Sequence, residues 1–187
     1  MNESINEKDK IEAITKLLKE VSDLLDIPTT ESNYDTPKRV AKMWCNELFK
    51  NRNYDNLWEL EAKMTLFDNE GTNTLIKISD IEFCSTCEHH WLPFMGVASV
   101  EYIPNKKIIG LSKIPRVVKY FSQMPQLQER LTSDIGHFLV RIIKPKYLKV
   151  TLTATHTCVM CRGAESNCST ETYFVFKDKE YYNEETC

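Results

Sequence analysis

No apolar run in this sequence approaches the roughly 18 residues that a membrane-spanning helix requires. The first ten residues, Met1-Asn-Glu-Ser-Ile-Asn-Glu-Lys-Asp-Lys10, contain no apolar signal-peptide core. An excess of positive charge is missing as well: 24 Lys and Arg stand against 27 Asp and Glu, a net charge of -3. A generally basic nucleic-acid surface is thereby excluded, and any anionic ligand must be met by a local cluster of cations. There is no internal repeat, low-complexity tract or linker. These absences lead us to expect a soluble, cytoplasmic protein with neither a membrane nor a nucleic acid as partner.

What is present fits one compact unit. The 187 residues are about one domain's worth. Hydrophobic residues make up 42% and charged residues 27%, a globular rather than a disordered composition. A chain of this length buries roughly 70% of its unfolded surface, so it needs neither disulfide nor metal merely to fold. The seven cysteines are Cys45, Cys84, Cys87, Cys158, Cys161, Cys168 and Cys187. Without a secretory signal they are expected to be reduced thiols, some of them metal ligands. Of the four histidines, His89, His90 and His156 lie within three residues of a cysteine, whereas His137 has no such company and is expected to be structural or exposed.

Hydrophobic period divides the chain. Ile11, Ile14, Leu17, Leu18, Val21, Leu24 and Leu25 recur at helical spacing and predict a first helix ended by Ile27-Pro28. Asp35-Thr36-Pro37 is a helix-start signal, followed by an apolar face of Val40, Trp44 and Leu48. Residues 51–72 carry no period and are expected to be irregular. From Thr74 the pattern turns β-prone: Leu75 to Phe83 and Phe94 to Ile103 read as strands, and Pro104-Asn105-Lys106 as a turn from which Lys107 to Leu111 returns as a hairpin. Ser112 is expected to cap a helix with a stripe of Ile114, Val117, Val118 and Phe121. After Pro125 a further helix carries Leu127, Leu131, Ile135, Phe138, Leu139 and Ile142. Tyr147 to Cys161 and Glu171 to Phe176 are β-prone. The class is therefore α+β with mainly antiparallel pairing, with residues 1–72 as an N-terminal helical region and 73–187 as an α+β catalytic region.

Two segments compete to define a metal site: Cys84-Ser-Thr-Cys87-Glu-His-His90 and His156-Thr-Cys158-Val-Met-Cys161-Arg162. Cys84 and Cys87 with Cys158 and Cys161 match a closed, structural four-cysteine zinc site. Cys87, His90 and Cys158 give instead a three-ligand zinc site with one open position, as catalysis requires. If 156–162 is extended, His156, Cys158, Met160 and Arg162 share one face and Cys161 points the other way. A bulge or turn before Cys161 would restore the four-cysteine set, so spacing alone leaves both sets open. The adjacent His89 and His90 point in different directions on an extended backbone, so one can ligate while the other faces a substrate.

Gly110-Leu-Ser-Lys-Ile-Pro-Arg116 leaves a strand and enters a helix. Lys113 and Arg116 fall in its first turn, where cations oppose the helix dipole while free N–H groups attract anions. The pair suits a phosphate, or equally a solvated basic turn. Gln128 and Glu129 open the next helix. An amide and a carboxylate suit the donor-rich edge of guanine, and an acid is also simply favourable in a first helical turn.

Taken in order and at these spacings, Thr36-Pro-Lys-Arg39, Cys87-Glu-His-His90, Tyr102-Ile-Pro-Asn105, Gly110-Leu-Ser-Lys113, Pro125-Gln-Leu-Gln-Glu-Arg-Leu131 and His156-Thr-Cys158-Val-Met-Cys-Arg-Gly163 resemble the GTP cyclohydrolase I family. The resemblance covers about residues 10–165. It implies a tunnelling fold, in which antiparallel sheets backed by helices join across subunits into a barrel-like ring. It also implies a homodecamer with active sites at subunit interfaces, and conversion of GTP to 7,8-dihydroneopterin triphosphate and formate, the first step toward folates and related pterins. By position it implies Cys87, His90 and Cys158 as ligands of Zn2+, and His89 and His156 as catalytic histidines, with His156 the leading proton carrier. It further implies Ser112, Lys113, Arg116 and Arg162 as triphosphate contacts, Arg39 arriving from another subunit, and Gln128 and Glu129 as ribose and guanine contacts. After Gly163 the family runs through a Ser/Thr-rich strand into a C-terminal helix. Here Ser166 to Phe176 supplies a strand, and the acidic, aromatic tail Lys177 to Cys187 shows no clear helix. Another tunnelling-fold enzyme acting on a purine or pterin, and a non-enzymatic structural-zinc module, are the alternatives.

Overall fold

The structure is a computed structural model that describes residues 6–54, 56–179 and 181. Their contacts fall into two compact units, one within Met1–Lys50 and one within Asn51–Cys187.

The first unit is helical, as its spacing predicts. Helix α1 spans Glu7–Leu24, and its Asn6 cap accepts a hydrogen bond from the backbone N–H of Asp9, satisfying one of the donors that a helix start leaves free. Glu7 and Asp9 add favourable negative charge in the first turn. Helix α2, Thr36–Met43, has Pro37 in its first turn, where the missing N–H costs nothing. It widens into a π-helical turn over Trp44–Leu48, whose last bond runs from Phe49 N–H to Trp44 C=O at 2.8 Å. Helix α1 packs on α2, yet no residue of α1 is fully buried, and Leu17, Val21 and Leu24 are exposed.

The second unit is built on a five-stranded sheet in the order β5-β2-β3-β6-β7. Strands β2 (Ile76–Cys87), β3 (Pro93–Ile103), β6 (Tyr147–His156) and β7 (Ser169–Lys177) pair antiparallel in succession. Period-2 alternation sends Phe94, Ala98, Val100 and Tyr102 of β3, and Leu148, Val150, Leu152 and Ala154 of β6, to one face. Two helices lie on that face. Helix α4 (Lys113–Ser122) contributes Ile114, Val117, Val118 and Phe121, and helix α5 (Gln128–Ile143) contributes Leu131, Ile135, Phe138 and Leu139. Each such side chain adds on the order of 1.5–3 kcal/mol when fully buried. Met95, Val97, Tyr173 and Val175 remain exposed. The α+β class and the helices on one face are thus as expected.

Five local expectations are corrected. Residues 51–72 are not irregular: they hold helix α3, Leu57–Ala62, and strand β1, Leu66–Asp68. Strand β4, Lys107–Ile109, does not return along β3. It pairs antiparallel with β1 in a separate two-stranded sheet, tied by Lys107 Nζ to Asp68 at 2.7 Å. Pro125-Gln126 is not merely a helix break but a two-residue strand, β5, parallel to the end of β2. The β-prone run from Tyr147 does not reach Cys161: β6 stops at His156, and Thr157–Met160 form a helical turn, α6. Ser112 and Asp35 stand at the N-cap positions of α4 and α2, but neither side chain makes a capping hydrogen bond. The tail Lys177 to Cys187 lies largely outside the described residues.

Strands β3 and β6 approach closely at Gly96, where an added Cβ would lie 1.9 Å from the backbone oxygen of Thr153. A backbone oxygen cannot rotate away as a side chain can. Gly96→Ala is therefore expected to destabilise the protein by about 3 kcal/mol, read as a lowered midpoint in urea unfolding.

Candidate metal centre and active site

The centre forms where three strand ends meet. Strands β2 and β3 are joined by a tight hairpin, closed by Cys87 N–H to Leu92 C=O and Trp91 N–H to Cys87 C=O, each 2.8 Å. The turn needs a left-handed residue, and Trp91 takes that place at φ 53°. Cys87 is buried at the end of β2, and the turn presents His89 and His90 to solvent. On the neighbouring strand, His156 ends β6 opposite Phe94 of β3. The helical turn α6 then folds Cys158 inward, where it is buried, and leaves Cys161 exposed. Thr157 Oγ1 fastens that turn by donating to Pro93 C=O.

The ligand atoms of Cys87, His90 and Cys158 lie within 4.8 Å of one another, the one such group among the described residues. Cys87 Sγ is 3.9 Å from Nδ1 of His90 and equally far from Nδ1 of His89. Tetrahedral zinc with bonds of about 2.3 Å to sulfur holds its ligand atoms about 3.8 Å apart, so the spacing fits a metal. The donor set fits too: two thiols and an imidazole suit zinc better than the hard cations, which prefer oxygen. Burial, with the hydrogen bond that the Cys158 S–H donates to Cys87 and the negative charge Cys87 can carry, pushes the Cys158 thiol up, while the Arg162 guanidinium pulls it back. A buried thiol that disfavours charge, as Cys158 does, loses its proton when a cation arrives. Cys84 and Cys161 are exposed and outside the group, so the closed four-cysteine set is not assembled. The open three-ligand set forms, though not by the expected route. It is the helical turn, not strand alternation, that separates Cys158 from Cys161.

Around this group the chain is strongly connected. Arg162 Nη1 donates to Nε2 of His90 at 3.2 Å. The His156 ring stacks on Phe94, centroids 4.5 Å apart and planes 4° from parallel. Burial lowers the His156 pKa, and the charge of Glu129 partly opposes that. Nε2 of His156 is 2.8 Å from Oε1 of Gln128. Gln128 is buried, whereas Glu129 is exposed. Arg130, on the same helix, pairs with Glu88 of the hairpin turn, and its Nε donates to Gln126 Oε1 at 2.8 Å. Gln126 is itself buried and donates to Asp134, which accepts from Tyr54.

Of the expected anion contacts, Ser112, Lys113 and Arg116 stand at the start of α4, where Ser112 and Arg116 are exposed and Lys113 is half-buried. Their side chains enter no ion pair among the described residues. Arg162 is exposed beside the metal group. Arg39 lies in the first unit, 3.7 Å from Asp35. His137 is exposed, bonded to Ser133 and edge-on to Phe174. Sequence reasoning missed Phe94, Arg130 and Glu88. The two charges lay inside quoted motifs, but nothing in either segment named the other as its partner.

The fold and the centre define an α+β protein in which two thiols and an imidazole that could hold a metal ion gather at the end of an antiparallel sheet. A sequence profile of the GTP cyclohydrolase I family matches residues 11–186, and the chain belongs to that family. It is 41% identical over 167 residues to "GTP cyclohydrolase 1" of Shewanella sp. (strain ANA-3), covering 88% of this chain and 74% of that one. To "GTP cyclohydrolase 1" of Sulfurihydrogenibium sp. (strain YO3AOP1) it is 44% identical over 161 residues, covering 86% and 80%. Among solved structures, the archaeosine synthase QueF-Like in the apo form shares 19% identity and a TM-score of 0.48, over 56% of this chain and 95% of that one. The α+β class with mainly antiparallel pairing, as expected from the sequence, is what the sheet and its helices show. No helix among the described residues is long and apolar enough to cross a membrane.

Two outcomes follow for metal content, measured on purified protein. Cys158→Ala is expected to lose its bound divalent metal, whereas Cys84→Ala and Cys161→Ala retain it. Arg130→Met, which frees Glu88 and loosens the hairpin turn, should weaken metal affinity by up to about tenfold, measured by competition with a chelating dye.

Proposed function

We propose that this chain is a zinc-dependent hydrolase that opens the imidazole ring of the guanine of GTP, yielding 7,8-dihydroneopterin triphosphate and formate. The reading is carried by one observation: Cys87, His90 and Cys158 converge to within 4.8 Å, with His156 fixed two residues from Cys158, in a chain of this family. When bound, zinc supplies Lewis acidity and an activated nucleophile near neutral pH. Cys87, His90 and Cys158 hold it and leave a fourth position for chemistry.

The remaining work falls to the protein's own groups. Water adds at C8 of the base, the C8–N9 bond breaks to a formamide, a second hydrolysis releases formate, and the ribose then opens, rearranges and recloses on the freed amine with loss of water to build the pterin ring. His156 carries protons in these steps, and His89, exposed on the hairpin turn, assists beside the purine or ribose. A pKa lowered by burial suits His156 to this role, since the neutral ring can accept a proton. Ser112, Lys113, Arg116 and Arg162 anchor the triphosphate, which is not cleaved. Glu129, at the exposed start of α5, accepts from the guanine edge. Arg39 completes the triphosphate site from another subunit of a homodecameric ring. The protein works in the cytoplasm at the first step toward folates or related pterins.

Zinc-loaded protein incubated with GTP should release formate and, after oxidation, a fluorescent pterin. Absence of both products at full zinc occupancy would overturn the reading. His156→Ala is expected to keep its zinc and to lose turnover by about 10²-fold or more.

A further inference from the structure

The amide of Gln128 is a buried group whose hydrogen bonds can be assigned atom by atom. Its nitrogen lies 3.1 Å from Leu152 O, 3.0 Å from Thr170 O and 3.2 Å from Thr172 Oγ1. Two of these partners are backbone carbonyls, which only accept. The atom facing them must therefore be the NH2 group, because a flipped amide would set its oxygen against two other oxygens. The hydroxyls agree. Thr132 Oγ1 donates to Gln128 C=O at 2.8 Å and lies 2.6 Å from Thr172 Oγ1, leaving Thr172 free to donate to Thr132 and to share one of the two amide hydrogens in a three-centre bond.

With the nitrogen fixed, Oε1 is the atom that faces His156. A carbonyl oxygen only accepts, so Nε2 of His156, 2.8 Å away, must bear a hydrogen and donate it. The lone pair of the neutral ring is then on Nδ1. The Phe94 ring, lying parallel at 4.5 Å, restricts the imidazole from the side. Both ring orientation and tautomer are thereby specified by groups that are themselves buried.

We propose that Gln128 is a positioning residue that fixes His156 as the Nε2–H tautomer, so that Nδ1 is the nitrogen that moves protons. The proposal rests on the reading of His156 as the proton carrier in guanine ring opening. As the water oxygen bonds to C8, the C8=N7 π electrons move to N7, and Nδ1 takes one water proton and passes it to N7; as the C8–N9 bond breaks and the C8=O carbonyl forms, Nδ1 takes the hydroxyl proton and passes it to N9. His156 ends the step neutral, still donating through Nε2 to Gln128. Gln128 thereby acts through His156 instead of through the ribose.

The test combines a spectrum with kinetics, on the full zinc-loaded chain. Protein carrying 15N-labelled histidine is examined by long-range 1H–15N NMR at a pH where His156 is neutral, and His156→Gln identifies the His156 signals by their disappearance. Wild type should show a proton on Nε2 that is protected from solvent exchange, and an unprotonated Nδ1. Gln128→Glu keeps an acceptor and should keep that proton. Gln128→Met lacks one, and should lose the protected signal together with about tenfold or more of kcat, while KM for GTP stays within about threefold. An Nδ1-bound proton in wild type overturns the proposal without any variant needing to fold. So does Gln128→Met with an unchanged spectrum and kcat but a raised KM, which would make Gln128 a substrate contact. If wild type turns over no GTP, the hydrolase reading falls, and the wild-type spectrum still decides the tautomer.

Discussion

The pairing of β6 on β3 is the constraint from which the centre follows. It runs without interruption from Ile103 opposite Tyr147 to Phe94 opposite His156. Beyond that last pair, one chain turns back through the Cys87–Leu92 hairpin and the other coils into α6. The three residues that could hold a metal thus lie near one end of that ladder, Cys158 two residues after His156 and Cys87 and His90 at the hairpin that leads into β3. A slip of one residue would turn the alternating apolar set of β6 to the wrong face of the sheet, and would also separate Cys158 from Cys87. The core and the site are held in register by the same hydrogen bonds.

Helix α5 provides the second support, and it does so from one turn. Gln128 secures His156 on β6, and Arg130 secures Glu88 in the hairpin, while Leu131 enters the core. Successive residues of a helix point in different directions, so a single turn can grip two segments that approach from different sides. Gly136, further along, lets β7 lie close: an added Cβ there would meet the ring of Phe174 at 2.2 Å. The bonds from Gln128 to Thr170 and Thr172 join the same two elements, so the helix is pinned to β7 at two levels.

What was legible in the sequence was what local pattern controls. The stripes of α4 and α5 and the alternation in β3 and β6 follow from spacing within short segments, whereas spacing left two ligand sets open and only the family resemblance singled out Cys87, His90 and Cys158. What was hidden depends on partners far along the chain. Strand β1 has three residues and no period of its own, and it exists because β4 lies beside it. Strand β5 has two residues and is defined by Thr86 and Cys87. The run Tyr147 to Cys161 is β-prone throughout, but β6 ends where β3 ends, and the remaining residues coil. Gln128 carried no mark distinguishing an amide offered to a ligand from one consumed inside the protein. The difference lies in Leu152, Thr170 and Thr172, which no pattern near residue 128 announces.

The separation of Cys87 and Cys158 along the chain has a consequence for assembly. An unfolded chain can offer an ion only a local clip, such as Cys87 with His90, because the second thiol arrives only once the sheet has closed. Ion capture is then worth most to the finished sheet and little to its precursors. If the group holds an ion, a shortage of it would accordingly be felt first as a shorter lifetime of the folded protein.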